Sequence, residues 1–487
     1  MLPVMLFFAP IIYDTVEVRE RSNNVPLRSD FSIFSNLSLL CRAPLPGSLH
    51  CLSRSHTIEA MPRCAELIVG IALAAALAAA PQLSTRDHYF VRSGQPFFWL
   101  GDTNWTLFTL YSPSEAEEYL DQRARQGFTV VNVMMVFSGG PGIKPIVENT
   151  EGHAPFLNGN PATPNEAFFK NVDRVLAAAR AKNLILAIMP CGGSSGAFVK
   201  KQKLFTEANV RTYGRWLGRR YKSVPNLIWV NGFDLKSSEY VELTEALAAG
   251  LREGDGGEHL ITFHPGGGNS SSYFHAEKWL SYNTIQTWSD YWRIHPLVLA
   301  DYCRLPVKPV VLAEGAYEAG PEYPTRPITP LIVRKQAWWA FLAGGFHTYG
   351  HNDMWRKNPA WRQSLDSPGA LQMRILKQVL APREWWTLVP DQSVIASGAD
   401  SDKDFNAAAR STRGNLAIVY LSTRDSVSVD LGKITASQTV RATWVNPETG
   451  QSSLEGVFPN SRLRSLTPSQ TSEDALLLLE AVNNPPR

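Results

Sequence analysis

The stretch NLIWVNGFD, Asn226 to Asp234, decides how this chain is read. Leu227 to Val230 is an unbroken apolar run, the pattern of a strand covered on both faces in a parallel sheet. It passes straight into Asn-Gly-Phe and then a carboxylate. A charge just past such a strand is either the N-cap of the next helix or a group held at the mouth of an α/β fold, where such folds keep their chemistry.

The same unit recurs on both sides of it. Upstream, PFFWLGD (96–102), FTVVNVMMVF (128–137) and LILAIMP (184–190) read as strands. The segments between them carry apolar residues at helical spacing: Ala116, Tyr119, Leu120 and Ala124, with Ser112 as cap and Gly127 as stop, then Phe168, Val172, Val175, Leu176 and Ala179. A long Gly/Pro/Asn loop after Phe137 is of the kind that is usually functional. Downstream, HLITFHPGG (259–267), TIQTW (284–288), PVVLAEGAYE (309–318) and FHTYGHND (346–353) complete eight strand candidates, with helices between most of them. This alternation predicts a (β/α)8 barrel over residues 85–390, with an open doubly wound sheet as the alternative. No Gly-x-Gly-x-x-Gly follows the first strand and no Walker loop is present, which speaks against nucleotide-binding versions.

From about Asp391 the rhythm changes to short runs with turn signals, from FNAAARS through LAIVYLS, SVSVDLG, TVRATWVNPETGQ and RLRSLTP to ALLLLEA. These predict an antiparallel β-sandwich over 391–487. At the other end, residues 61–80, MPRCAELIVGIALAAALAAA, combine a Met, an Arg, an apolar stretch too short to span a bilayer and small residues before Pro81. That is the pattern of a secretory signal peptide, so secretion or a periplasmic location is expected, with Met61 as initiator and residues 1–60 as an upstream extension.

A net charge of +3 over 487 residues, without a Lys/Arg-rich run, gives no ground for a nucleic-acid or anionic-membrane partner. The 14 Trp, 15 Tyr and 22 Phe suit stacking on sugar faces, and core packing accounts for them equally well. Past residue 80 only Cys191 and Cys303 remain, too far apart for a disulfide framework or a metal knuckle, so both are expected free and buried.

A barrel places its chemistry just past the carboxyl ends of its strands. Those positions here are Asp102, Asn104 and Trp105; Asp234; His264; Gln286 and Trp288; Glu314, Tyr317 and Glu318; and His347, Tyr349, His351 and Asn352. Carboxylates among rings, amides and imidazoles are what a sugar requires: acid/base and nucleophilic groups, flat faces, and partners for hydroxyls. Asp102 could equally cap the next segment, and Gln286 and Tyr349 could be satisfied core groups. His347 and His351, four apart on a strand, would share a face, but nothing completes a metal site around them. Asp234 and Glu314 stand out because each ends an apolar strand, the fourth and the seventh, and so they should face each other across the mouth. Carboxyls so placed suit retention of anomeric configuration. Glu318 is the rival nucleophile, but it overshoots the strand and, with Tyr317, is better suited to binding hydroxyls. No metal or cofactor is expected; the partner is a polysaccharide or oligosaccharide. A non-catalytic glycan- or matrix-binding protein is the competing class.

The stretches FVRSGQPFFWLGDTNW, NLIWVNGFD, HPGGGNSSSYFH, KPVVLAEGAYE and AFLAGGFHTYGHNDMW together resemble the apiosidase-like glycoside hydrolases. The tail around TWVNPETGQ resembles the small β domain that follows them, often labelled collagen-binding. The resemblance runs from about Tyr89 to the C-terminal end. It implies a TIM-barrel glycosidase in which Asp234 is the general acid/base and Glu314 the nucleophile, with apiose as the sugar; a furanosidase of other specificity, acting on an arabino- or galactofuranoside, is the alternative enzyme reading. Two departures fall in the pocket: Gly232-Phe233-Asp234 stands where the family usually has Gly-Gly-Asp, and Thr287-Trp288-Ser289 where it often has Ser-Gly-His.

Overall fold

The computed structural model describes residues 82–137, 148–192, 204–321, 328–469 and 471–482, without the side chains of Phe233 and Leu235. The upstream extension and signal-peptide readings, and much of the long loop after Phe137, lie outside the described residues.

A three-stranded antiparallel sheet comes first, β1 (Leu83–Arg86), β2 (Tyr89–Arg92) and β3 (Gln95–Phe97). The barrel strands follow: β4 (Leu100–Thr103), β5 (Val130–Met134), β6 (Ile185–Met189), β7 (Leu227–Leu235), β8 (Ile261–Pro265), β10 (Asn283–Gln286), β11 (Val310–Glu314) and β12 (Phe346–Gly350), with the two-residue β9 (Asn269–Ser270) antiparallel to β10. All eight expected strands are present, and the order β8-β7-β6-β5-β4-β12-β11-β10 is parallel throughout. The ring closes between β8 and β10 through side-chain bonds and a single backbone bridge, Ile261 to Leu280, rather than a full ladder. Thr262 Oγ1 donates to the Tyr282 carbonyl at 2.7 Å, Thr284 Oγ1 donates to the Phe263 carbonyl, and the Ser281 amide donates to the Ile261 carbonyl at 2.7 Å. The chain is thus a (β/α)8 barrel, and the open sheet is excluded.

The helices form where the apolar spacing placed them. Helix α1 (Pro113–Arg125) starts with a complete capping box between Ser112 and Glu115 and with Pro113 in its first turn. Helices α2 (Glu166–Ala181), α3 (Glu207–Tyr221), α4 (Val241–Asp255), α5 (Ile294–Tyr302) and α6 (Pro330–Leu342) continue the outer layer, and α7 (Pro368–Leu380) ends it after two short helical turns.

Helix α6 differs from the others in being buried all round from Val333 to Leu342. Its outer side is covered by the C-terminal domain, which pairs β13 (Leu388–Pro390), β15 (Ala407–Ser411), β16 (Leu416–Leu421), β21 (Ala475–Ala481), β18 (Thr439–Val445) and β19 (Ser452–Pro459) in one antiparallel sheet. A second sheet holds β14 (Ile395–Ser397), β17 (Val427–Asp430) and β20 (Leu463–Leu466). One continuous apolar cluster runs from barrel residues such as Leu312 and Phe346 through Trp338 and Trp339 to Ile418, Tyr420 and Leu478 of the sandwich. Trp338 stacks on Tyr420 with ring centroids 6.0 Å apart. Within this apolar seam Arg334 makes a two-pronged pair with Asp474 at 2.8 and 2.9 Å and donates to Gln372 Oε1 at 2.7 Å; the Tyr420 hydroxyl donates to the same Asp474 at 2.8 Å. A buried guanidinium with each of its three nitrogens bonded is a specific clamp rather than a source of net stability.

Cys191 is free and buried, as expected; Cys303, at the end of α5, is free but exposed, which corrects the reading of both as buried.

Candidate active site

The odd sequence at the end of β7 is explained by a bulge. Asn231 pairs with Phe263 of β8, but the next paired residue on β7 is Leu235, opposite Pro265, so four steps on one strand match two on the other. The surplus is taken up by Gly232 at φ 111° and Asp234 at φ 55°. Gly232 presses against β8 so closely that a Cβ would lie 2.5 Å from the His264 carbonyl oxygen. Asn231 anchors the turn by donating to the Thr244 carbonyl and accepting from the Gly232 amide, each at 2.8 Å. Bulges re-aim side chains next to active sites, and here the turned residue is Asp234. It does not cap α4, whose N-cap is Tyr240.

Glu314 closes β11 and is 7% exposed. Its backbone is tied on several sides. The carbonyl accepts from the Thr287 amide at 3.0 Å, and Asn132, on β5, donates across the barrel to the preceding Ala313 carbonyl at 3.3 Å. From α6, Gln336 takes both backbone groups of Ala316 at 2.7 and 3.0 Å. Gly315 leaves room for that amide, since a Cβ there would lie 2.1 Å from Gln336 Oε1. The two carboxyls sense each other. Burial first, then the charge of Glu314, lifts the Asp234 pKa to about 7, against the opposing pull of His264 and Gln286.

His264 Nε2 lies 3.3 Å from Glu314 Oε2, close but short of an aligned hydrogen bond, while Nδ1 faces the Pro265 carbonyl at 3.0 Å. Trp105 sets its ring edge-on to His264, centroids 5.2 Å apart, and donates from Nε1 to the Tyr317 hydroxyl at 2.9 Å. Gln286 sits level with Glu314 on the neighbouring strand. Its amide oxygen and nitrogen, with Thr287 Oγ1, are buried without a complete hydrogen bond among the described residues. Buried polar groups left so are uncommon, and where they converge on a carboxylate pair they are suited to binding hydroxyls. Beyond Asp234 opens a cleft of about 560 Å³ lined by Lys236, Gly267, Asn269, Trp288, Asp290 and Arg293 among others, with Trp288 37% exposed. That volume accommodates one or two sugar rings.

Asp234, Glu314, His264, Gln286, Trp105, Tyr317 and Trp288 therefore come together. Five other expected residues do not. Asp102 is fully buried and turned toward the helix layer, where its carboxylate pairs with Arg123 and the Tyr119 hydroxyl, both on α1. Tyr349 donates to Glu318 at 2.6 Å and lies beside Ser367 at 2.9 Å. His351 caps the turn Asn352–Arg356 by accepting from the Asp353 amide at 3.1 Å, and Asn352 accepts from Arg356 at 2.9 Å. Glu318, read as a hydroxyl ligand, is instead fixed by Tyr349 and by the Gly369 amide at 3.1 Å. Burial drops His347 to about 3 and keeps it neutral. No three of His, Cys, Asp or Glu converge on a metal-sized space among the described residues, and no helix among them is long and apolar enough to cross a membrane. The side chain of Phe233, one of the family departures, lies outside the described residues.

Lys236 and Arg293 were not anticipated. Lys236 is two residues past Asp234 on the same strand end, within reach of a wider window, whereas Arg293 belongs to a turn well beyond β10 and carries no sequence signal.

Comparison with known proteins fits this geometry. A solved glycoside hydrolase is 26% identical, with a TM-score of 0.74 over 82% of this chain and 97% of its own. A glycoside hydrolase family 5 protein from Bacteroides vulgatus is 27% identical, with a TM-score of 0.73 over 82% of this chain and 93% of its own. Comparison with curated proteins gave no match. Residues 389–480 match the family described as "Putative collagen-binding domain of a collagenase". Residues 84–387, more than half of the chain, match the family described as "Apiosidase-like, catalytic domain", and the chain belongs to that family.

Proposed function

We propose that this protein is a secreted, retaining glycoside hydrolase that removes a terminal sugar, of the furanose class that includes apiose, from plant or microbial polysaccharide. The observation that supports this most is the electrostatic coupling of Asp234 and Glu314 at the ends of the fourth and seventh barrel strands. A carboxyl lifted to about 7 keeps its proton below that pH, so Asp234 is able to protonate a leaving glycosidic oxygen under near-neutral conditions. Glu314 then attacks the anomeric carbon, and Asp234, now a base, activates the water that releases the sugar. As pH rises through about 7 the acid proton is lost and turnover falls. Gln286 and Thr287 are suited to the sugar hydroxyls and Trp288 to an apolar sugar face. Secretion rests on the pattern of residues 61–80.

The test is incubation with apiosides, arabinofuranosides and galactofuranosides, reading the first-formed anomer by proton NMR. Release of one of these sugars with its configuration retained is expected. An inverted first product contradicts the double displacement, and absence of turnover on every glycoside contradicts the catalytic reading.

A further inference from the structure

His264 packs against both carboxyls of the pair, and its two ring nitrogens have unlike surroundings. Nδ1 lies 3.0 Å from the Pro265 carbonyl, an acceptor, so Nδ1 carries a hydrogen. Nε2 lies 3.3 Å from Glu314 Oε2. A neutral ring with its hydrogen on Nδ1 would leave a bare lone pair beside that oxygen, with acceptor near acceptor. The side chain is only 1% exposed and Trp105 stands edge-on against it, so the ring has no room to turn away into water. A proton therefore belongs between His264 and Glu314.

We propose that this proton resides on His264, as an imidazolium paired with Glu314, which keeps the nucleophile charged and aimed while Asp234 holds the acid proton. The inference rests on the roles given above to Asp234 and Glu314. His264 acts through Glu314 and is thus a positioning residue. The charged groups facing it are Glu314 from β11 and Asp234 from β7, and the ring packed on it, Trp105, is neutral. Burial works to lower its pKa, but the contact with Glu314 and the charges of both carboxyls outweigh burial and leave it raised. The reverse coupling has the matching sign, since His264 pulls Asp234 down.

The direct test is an imidazole proton–nitrogen correlation spectrum of the whole protein labelled with nitrogen-15 histidine, the His264 signal being the one lost in His264→Gln. At neutral pH both ring nitrogens are expected to be protonated, and Glu314→Gln should convert the ring to the neutral form with its hydrogen on Nδ1. A neutral ring in the unsubstituted protein, or a titration that Glu314→Gln leaves unmoved, overturns the proposal. This readout needs no substrate, so it fails or succeeds separately from the glycosidase reading. On whichever 4-nitrophenyl glycoside is turned over, His264→Gln should also move the alkaline limb of kcat/KM up by about one pH unit, because a cation holding Asp234 down has gone. Lower activity with an unmoved limb contradicts it.

Discussion

Two buried polar groupings in this molecule are built from similar parts and end in opposite conditions. At the seam between barrel and sandwich, Arg334, Asp474, Gln372 and Tyr420 are joined by short, well-aligned bonds. At the barrel mouth, Asp234, Glu314, His264 and Gln286 crowd together while both amide atoms of Gln286 and the Thr287 hydroxyl lack an aligned partner among the described residues. A satisfied network specifies one arrangement of two surfaces, whereas an incompletely satisfied one is costly to maintain and is kept where something else is to be bound. Helix α6 links the two, since Arg334 faces the sandwich while Gln336, two residues on, holds the backbone that follows Glu314. The difference predicts that damage at the seam appears as lost stability and damage at the mouth as lost turnover.

The largest effect should come from the nucleophile. Glu314→Gln should cut kcat by roughly 10⁴-fold or more while the melting temperature stays near that of the unsubstituted protein. A comparable loss of stability would erase the contrast. Asp234→Asn comes next, with a fall of about 10² to 10⁴ in kcat on poor leaving groups and far less on activated aryl glycosides. The same fall on both classes would remove Asp234 from the acid role.

At the seam, Arg334→Leu leaves Asp474 buried without its cation and should cost about 3–5 kcal/mol in urea unfolding, with kcat per folded molecule unchanged. Unfolding indistinguishable from the unsubstituted protein would mean that the pair is not a clamp. Gly232→Ala should show a smaller, mixed effect, about 1–3 kcal/mol of stability with a loss of kcat, because the bulge that aims Asp234 needs a positive φ and close contact with β8. Normal activity in this variant would show that the bulge does not aim the acid.

Much of this was legible in the chain. The eight apolar runs became the eight barrel strands, and Asp234 and Glu314 followed from counting them. What the counting left out was the side to which each residue points. Asp102 lies between Gly101 and Thr103, and the alternation of a strand sends it to the helix layer, where Arg123 meets it. Tyr349 is likewise one step from Thr348, whose hydroxyl meets Trp99. Applying the two-residue period at each strand end would have removed both. Other features had no local signal. Arg334 and Lys335 look like the solvated face of an amphipathic helix, and their partners Asp474 and Asp404 come from a domain far along the sequence. The bulge was announced only by Asn231-Gly232, and its register depends on β8. In the sandwich, β19 falls between the runs that stand out in the sequence, because Leu454 and Val457 are exposed and Gly456 interrupts the alternation, as happens at a sheet edge.

The most direct test of the claim that Asp234 and Glu314 share one double displacement is azide rescue of the two alanine variants, with product configuration read by NMR. Glu314→Ala should regain turnover in azide and yield a glycosyl azide of inverted configuration, and Asp234→Ala should yield one of retained configuration from a substrate with a good leaving group. If Glu314→Ala keeps near-normal activity without azide, or if both variants give the same configuration, the assignment of the pair is wrong.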